Sequence, residues 1–178
     1  MHMTTQGKPE IAEPHWLTVD QLAAWRGFMS LVRRLPSALE CQLQRDSQLS
    51  FTEYYVLALL SDQPARRMRL SDLAIKVDSE LSRLSHMVSR LAKRSLLRRE
   101  PDPCDGRYTN AILTDIGYSH LVEAAPSHVR RVRELFVDVL DSEELQTLRR
   151  LSEKVLARID IAEGHDGRAS AEHRQGAS

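Results

Sequence analysis

The sequence predicts a mainly α-helical protein with one small β-hairpin, and three observations carry this prediction. Helix-start signals precede several stretches in which apolar residues recur every three or four positions. Two short stretches of strand composition flank a turn that holds two prolines and Asp105-Gly106. With 178 residues, the chain is long enough to bury a core without disulfides or metals.

Composition excludes several classes of protein. Hydrophobic residues make up 42% of the chain and charged residues 28%, which is typical of a globular protein rather than of collagen, a disordered chain or a disulfide scaffold. No apolar run approaches the roughly 18 residues of a membrane-spanning helix, and the polar amino terminus lacks the apolar segment of a secretory signal. We therefore expect a cytoplasmic protein with no membrane partner.

The first helix is predicted within residues 17–47. Thr18 and Gln21 have the spacing of a capping box. The apolar residues that follow at helical spacing are Leu22, Trp25, Met29, Val32, Leu35, Leu39 and Leu43. Because Pro36 removes a backbone donor and clashes with the preceding turn, a kink or a break is expected near Leu35.

Two further helix starts follow. Ser50 and Glu53 form another capping-box pattern and predict a second helix that runs through Leu60. Ser71 is the expected N-cap of a short third helix.

The fourth helix, predicted over residues 80–94 after a turn at Asp78-Ser79, is amphipathic. Its apolar face carries Leu81, Leu84, Val88 and Leu91. The polar residues on the opposite side are Ser79, Ser82, Arg83, Ser85, His86, Ser89, Arg90 and Lys93. Two short helices joined by a tight turn are typical of a helix-turn-helix, whose second helix enters the major groove of DNA.

The hairpin is predicted directly after this helix. Strand composition extends over residues 96–100 and 108–114, on either side of the Asp105-Gly106 turn. Thr114 then caps a long helix with a kink expected at Pro126. A last helix is expected to begin where Asp141 and Glu144 form a capping box.

The chain is predicted to divide into four parts. Residues 48–114 form a winged helix-turn-helix DNA-binding domain, residues 17–47 and 115–162 form a helical dimerisation region, residues 1–16 are flexible, and residues 163–178 form a disordered tail. The small middle region is unable to bury the apolar stripes of the terminal helices. We therefore expect an intertwined homodimer; the alternative is a monomer whose helices pack on one another.

Charge is unevenly distributed although the formal net charge is zero. Between Asp62 and Tyr108, 11 basic residues stand against 7 acidic ones, a local charge of +4. From Leu81 to Arg99 there are six bases and no acid. A basic patch on a neutral chain is typical of a phosphate-binding surface, although such a patch can also be merely solvated.

The predicted DNA-binding residues fall into three groups. Near the start of the fourth helix, Ser82, Arg83 and His86 can reach base edges. The residues expected to complete this helix-turn-helix surface, the last three of them at phosphates, are Ser71, Ser79, Ser85, Arg90, Lys93 and Arg94. In the hairpin, Arg107 can enter the minor groove, while Asp105 either fixes the loop by pairing with an arginine or only forms the turn.

The sequence contains no catalytic motif, and we predict no enzyme activity, catalytic residue, resident metal or cofactor. The alternative for the scattered histidines is a zinc site assembled across a dimer. An effector pocket between the first two helices is predicted from Trp25, Met29, Tyr54 and Tyr55. The alternative for these four residues is that they are plain core.

From Leu17 to Asp160 the chain resembles the MarR family of bacterial winged-helix transcriptional regulators. The stretches that carry this resemblance are Leu49-Ser50-Phe51-Thr52-Glu53-Tyr54, Leu70-Ser71-Asp72-Leu73-Ala74, Ser82-Arg83-Leu84-Ser85, Arg90-Leu91, Asp105-Gly106-Arg107 and Leu113-Thr114-Asp115-Ile116-Gly117. The resemblance implies a homodimer that binds a pseudo-palindromic double-stranded DNA operator, with Arg107 in the minor groove. It also implies a repressor that a small phenolic or aromatic acid releases from DNA.

Several residues depart from the family pattern. Ser95 stands where the family often has glycine, so the fourth helix is expected to end differently. Cys41 and Cys104 fit no metal-ligand spacing, and neither occupies the position of the reactive cysteine in peroxide-sensing relatives. Two alternatives to an effector-controlled repressor stay open: a dimeric ligand- or protein-binding module that no longer binds DNA specifically, and a redox-sensing regulator that uses Cys104.

Overall fold

The computed structural model describes residues 14–162. The predicted disordered tail at 163–178, and most of the predicted flexible segment at 1–16, lie outside this range. The chain divides into two compact units, one ending at Ala38 and one beginning at Leu39. The first helix, α1 (Val19–Ser47), contributes residues to both units.

The start of α1 confirms the predicted capping box. The Thr18 backbone N–H donates to Gln21 Oε1 at 2.9 Å, and the Gln21 N–H donates to Thr18 Oγ1 at 3.3 Å. Of the kink or break predicted near Leu35, the break is wrong, because α1 continues as one helix through Pro36. A single proline removes one backbone donor, and the turns on either side keep their own hydrogen bonds.

The remaining elements lie in the second unit. They are α2 (Phe51–Ser61), a 3₁₀ turn (Pro64–Arg66), β1 (Arg67–Arg69), α3 (Leu70–Lys76), α4 (Leu81–Lys93), β2 (Leu97–Pro101), β3 (Thr109–Leu113), α5 (Asp115–Val132), a π-helical turn (Arg133–Val137) and α6 (Ser142–Ala162). The capping box at Ser50 and Glu53 is confirmed, and so is the Thr114 cap of α5. The last helix begins as predicted, since the Glu144 N–H donates to Asp141 Oδ1 at 2.8 Å.

The sheet has three antiparallel strands in the order β1-β3-β2. The wing (Leu97–Leu113), which comprises β2, its turn and β3, matches the predicted hairpin within one residue at each strand. In β3, Ala111 pairs with Met68 of β1 on one side and with Arg99 of β2 on the other. The two-stranded prediction is therefore incomplete. Three residues are too short to show the alternation that identifies a strand.

The predicted N-cap of α3 is also wrong. The helix begins at Leu70, with Arg69 as its N-cap and no side-chain cap, and the Ser71 hydroxyl donates to Asp72 Oδ1 at 3.1 Å instead. The reason is the unpredicted strand, since β1 ends at Arg69 and the chain passes directly from strand into helix.

One core connects α2, α3, α4, the sheet and the start of α5. Its largest fully buried side chains outside α1 are Leu49, Val56, Leu57, Leu60, Leu73, Leu84, Val88, Leu91 and Leu97. Leu81, predicted on the apolar face of α4, is instead 50% exposed, and Met87 is buried with this core. Leu81 is the first residue of α4, and the core-facing residues of the helix begin one turn later at Leu84.

The end of α4 joins the start of α5. Ser95 has φ 61°, and the Leu96 N–H donates to the Leu91 carbonyl at 3.0 Å. The expected change of helix ending therefore does not occur: Ser95 adopts the left-handed conformation that glycine usually takes after a helix. The Thr114 hydroxyl donates to the Ser95 carbonyl at 2.7 Å and accepts from the Gly117 N–H at 2.9 Å.

The predicted kink at Pro126 does not interrupt α5, which continues through the proline to Val132. The π-helical turn over Arg133–Val137 and a turn before Asp141 then separate α5 from α6. No residue of α6 is buried. Among residues 14–162, no helix is both long and apolar enough to span a membrane.

Candidate nucleic-acid interface

The first turns of α4 present the predicted base-reading residues to solvent. Ser82, Arg83 and His86 are all exposed. Arg83 and His86 form no ion pair with any residue from 14 to 162. The amino half of α4 therefore offers a hydroxyl, a guanidinium and an imidazole that are free to contact a ligand.

Three other predicted serines are less accessible than Ser82. Ser71, Ser79 and Ser85 are only partly exposed. The Ser85 backbone carbonyl accepts from the Ser89 hydroxyl at 2.8 Å, and Ser89 Oγ in turn accepts from Arg99 Nη1 at 2.7 Å. This chain of hydrogen bonds ties β2 to the exposed side of α4.

The carboxyl half of α4 is partly neutralised by Glu53. Its carboxylate lies 3.5 Å from Arg90 Nη2 and 3.9 Å from Arg94 Nη1, and it also accepts from the Ser50 N–H at 2.9 Å. The Glu53 side chain is 9% exposed. Two of the three predicted phosphate contacts therefore already share a carboxylate, whereas Lys93 is exposed and forms no ion pair with another described residue.

Other bases of the basic patch are paired as well. Arg66 binds Asp115 at 3.1 Å and lies 3.8 Å above the ring of Tyr118. Arg98 pairs with Glu100 at 3.0 Å. The field of this surface is therefore weaker than the sequence count of bases indicates. Among the described residues, the bases of the patch that form no ion pair are Lys76, Arg83, Lys93 and Arg99.

At the tip of the wing, Asp105 pairs with Arg107, which confirms that this aspartate binds an arginine. Arg107 donates from Nη2 at 2.8 Å and from Nε at 3.0 Å, and its backbone N–H donates at 3.1 Å. The hydrogen bonds from Arg107 lower the pKa of Asp105 and raise that of the guanidinium. The Arg107 side chain remains 85% exposed. Asp105 therefore holds the guanidinium in place and leaves it accessible to a ligand.

The sequence predicted no role for Asp102, which lies at the base of the wing turn. It accepts hydrogen bonds from Arg69 Nε at 2.9 Å and from Asn110 Nδ2 at 3.2 Å. The contact with Arg69 is the main reason that the pKa of Asp102 lies far below its usual range. Arg69 belongs to the unpredicted strand β1, so no local pattern in the sequence pointed to this contact.

The four predicted effector residues lie in two different units. In the first unit, Trp25 and Met29 border an open groove of about 410 Å³ along α1, which Arg26, Ser30, Arg33 and Arg34 complete. In the second unit, Tyr55 is exposed, and the half-buried ring of Tyr54 lies 4.3 Å from the ring of His128. Burial raises the pKa of Tyr54 and lowers that of His128.

Both cysteines, Cys41 and Cys104, are free and exposed. Within residues 14–162, no three side chains of histidine, cysteine, aspartate or glutamate lie close enough to hold a metal ion.

Comparison with known proteins gives one consistent result. The model of the MarR family matches residues 49–109, a range that contains α2, α3, α4, β2 and the wing turn. The HTH-type transcriptional regulator MhqR of Bacillus subtilis (strain 168) is 30% identical over 110 residues, which are 60% of this chain and 72% of that protein.

Two solved structures from Streptomyces coelicolor are similar over most of the chain. Sco3205, a MarR family transcriptional regulator in complex with DNA, is 39% identical with a TM-score of 0.77, over 88% of this chain and 94% of that one. AbsC, also a MarR family transcriptional regulator, is 36% identical with a TM-score of 0.78, over 82% of this chain and 98% of that one.

Proposed function

The chain belongs to the MarR family of transcriptional regulators, and we propose that it binds a pseudo-palindromic double-stranded DNA operator as a homodimer. The amino half of α4 enters the major groove, where Ser82, Arg83 and His86 contact base edges. The wing places Arg107 in the adjacent minor groove. Members of this family are regulators rather than enzymes, and the proposed activity is binding alone.

One observation carries this proposal. Most bases of this surface are paired, but Arg83 and Lys93 on α4 form no ion pair with any residue from 14 to 162, and Arg107 stands 85% exposed at the wing tip. An arginine that is free to bind guanine bidentately supplies specificity, and a free lysine supplies phosphate affinity. The solved complex of the 39% identical Sco3205 with DNA supports the same kind of partner for this chain.

The homodimer is supported by the apolar surface of α6. None of its residues is buried, and its exposed apolar side chains are Leu151, Val155, Leu156, Ile159 and Ile161, with exposed fractions between 44% and 66%. A second copy of the chain covers such a stripe by symmetry. A two-fold axis also duplicates α4, and successive major grooves on one face of DNA recur at about 34 Å.

We further propose that the protein represses its target genes and that a small aromatic or phenolic acid releases it. The surface of α1 carries groups suited to this ligand class, because the ring of Trp25 and the guanidinium groups of Arg26 and Arg33 border the same open groove on one helix. An aromatic ring stacks on an indole, and a carboxylate pairs with a guanidinium. Tyr54 and Tyr55 do not border this groove, and a role of these two residues in effector binding stays a prediction.

The test begins with selection of bound sequences from a random double-stranded DNA library by the full-length protein. Affinity for the selected operator is then measured by fluorescence anisotropy at several salt concentrations. We expect Arg83→Ala and Arg107→Ala each to weaken operator binding by roughly 1–3 kcal/mol, the scale of one good base contact. Arg150→Ala, which removes the same charge from α6 on the side opposite Val155 and Ile159, is the matched control and should bind as the wild type does.

The outcome also separates the alternatives. A steep fall of log K with log salt indicates several neutralised phosphates. Selection that enriches no sequence, together with affinity indifferent to salt, would contradict the proposal and favour a dimeric module that does not bind DNA specifically.

A further inference from the structure

We propose that Asp102 is a positioning residue, which locks the wing to the start of α3 so that Arg107 is presented to DNA in one orientation. This inference rests on the proposed function, because it assigns a role within the same DNA-binding surface. Asp102 itself contacts no DNA in this proposal and acts through the residues that it binds.

The carboxylate of Asp102 gathers donors from three segments of the chain. Arg69 Nε, at the junction of β1 and α3, donates at 2.9 Å, and Asn110 Nδ2 of β3 donates at 3.2 Å. Within the turn, the backbone N–H groups of Cys104 and Asp105 donate to Oδ1 at 2.9 Å and 3.2 Å. Only 9% of the Asp102 side chain is exposed.

Arg69 extends this cluster towards the helix-turn-helix. It is the last residue of β1 and the N-cap of α3, and in the sheet it stands opposite Asn110. Its guanidinium carbon also lies 4.9 Å from the centre of the Tyr108 ring. A change at Asp102 therefore affects how the wing is attached to α3, and not only the shape of the turn.

A short series of hydrogen bonds leads from Asp102 to Arg107. The Asp102 N–H donates to the Tyr108 carbonyl at 2.9 Å, and the Tyr108 N–H donates to the Asp105 carbonyl at 3.0 Å. Asp105, whose own N–H is bound by Asp102, then holds the Arg107 guanidinium with its carboxylate. The orientation of Arg107 thus depends on Asp102 indirectly, through Asp105.

Polar contacts, rather than a core, hold this part of the wing. The exposed residues of the turn and its edges are Pro101, Pro103, Cys104, Gly106, Arg107 and Tyr108. Because no buried apolar side chain in the turn fixes it, its order depends on the hydrogen bonds to Asp102. A loop that is ordered before binding loses less conformational entropy on the DNA.

Neutralising the Asp102 carboxylate should change DNA affinity in opposite directions, depending on whether its charge or its positioning role dominates. A negative charge beside a DNA-binding arginine repels phosphates, so its neutralisation alone should strengthen binding. If Asp102 positions the wing, neutralisation should weaken binding instead.

The experiment compares Asp102→Asn with Glu100→Gln on the selected operator. Both variants remove one negative charge from the wing, but the partners of Glu100 among residues 14–162 are Arg67 and Arg98 on the sheet surface. We expect Asp102→Asn to weaken operator binding about three- to tenfold, and Glu100→Gln to leave it unchanged or slightly tighter. Hydroxyl-radical footprints should lose protection at the minor-groove flanks and keep it at the centre of each half-site.

Repeating the substitution in the Arg107→Ala variant shows whether Asp102 acts through Arg107. In Arg107→Ala protein, we expect Asp102→Asn to cause no further loss of affinity. Arg69→Lys retains the charge but not the guanidinium geometry, so it should reproduce the loss and keeps the test valid if Asp102→Asn fails to fold. Circular dichroism melts identify such a failure.

The outcomes distinguish the two proposals. If the wild type selects no operator, the proposed function and this inference both fall. If the wild type binds its operator but Asp102→Asn binds equally or more tightly, or loses affinity to the same extent in the Arg107→Ala background, only the positioning role is overturned.

Discussion

The region from Leu49 to Leu121 buries most of its apolar residues, whereas the helix α6 leaves its apolar residues exposed. The first region buries a continuous set of leucines, valines and methionines within itself. Helix α6 exposes every apolar residue beyond Leu148 to a large extent and buries none. The difference indicates that the winged helix-turn-helix is stable through its own core, whereas α6 requires another surface.

The largest expected effect is a loss of stability in the packed region when Gly117 is replaced. A Cβ at this position would lie 2.1 Å from the Leu96 carbonyl oxygen and 2.8 Å from Leu113 Cδ1. Because the first of these atoms is backbone, we expect Gly117→Ala to lower the free energy of unfolding by roughly 3 kcal/mol. The control is Gly27→Ala in α1, where a Cβ meets nothing within 4 Å and alanine should stabilise the helix by about 1 kcal/mol. Urea unfolding measures both, and equal destabilisation of the two variants would refute the packing argument.

The next effect concerns α6 alone. Val155→Asp places a charge within the exposed apolar stripe, and we expect dimerisation to weaken by about 2 kcal/mol or more. Gln146→Asp adds the same charge at an exposed polar position on the opposite side of the helix and should leave dimerisation unchanged. Light scattering across a dilution series gives the mass of each variant. Dimers of equal affinity in both would mean that this stripe is not the interface.

A smaller effect is an expected gain in the stability of the packed region when Ser95 is replaced by glycine. Ser95 has φ 61° after α4, a conformation that costs a residue with a side chain free energy and costs glycine almost none. We expect Ser95→Gly to raise the free energy of unfolding by about 1 kcal/mol without a change in dimerisation. His86→Gly, at an exposed position in the interior of α4, should lower it by about 0.5 kcal/mol. Thermal melts test the opposite signs, and a shared sign would contradict the argument.

The smallest effect is a pH dependence at His128. This side chain is buried, its Nδ1 lies 3.2 Å from Gln42 Oε1, and burial lowers its pKa. The unfolded chain, with an ordinary histidine pKa near about 6.5, then binds more protons than the folded one. The stability contribution of neutral His128 should be fully present above the unfolded-state pKa. It should be lost as the pH falls through the lower pKa of the folded state.

His128→Gln is expected to flatten this dependence relative to the wild type, because it removes the buried imidazole. Urea unfolding between pH 7 and pH 5 compares the slopes. An unaltered slope in His128→Gln would assign the dependence to other groups.

Sequence alone identified the candidate recognition helix but not how its charges are compensated. The exposed positions of Ser82, Arg83 and His86 follow from the helical period of Leu84, Val88 and Leu91. Whether Arg90 is free depends on Glu53, which is 37 residues earlier in the chain and which the sequence marked only as a cap. Periodicity assigns a face to each residue of a helix, and it carries no information about the partner of that residue.

The wing shows the same limit. The Asp105-Gly106 turn and the pairing of Asp105 with an arginine could be predicted, because the two residues that pair are only two positions apart. The contact between Arg69 and Asp102 spans 33 positions and requires the strand β1, whose three residues show no strand pattern.

What the sequence by itself determined is local: the helix starts at Thr18, Ser50, Thr114 and Asp141, where donor and acceptor lie within three residues of each other. The tertiary structure alone decided the third strand, the start of α3, the exposure of Leu81 and the partners of Glu53 and Asp102. The physical reason is the distance along the chain. A cap forms within one turn wherever its residues occur, whereas an ion pair or strand pairing across 30 or more residues exists only after the core has brought its segments together.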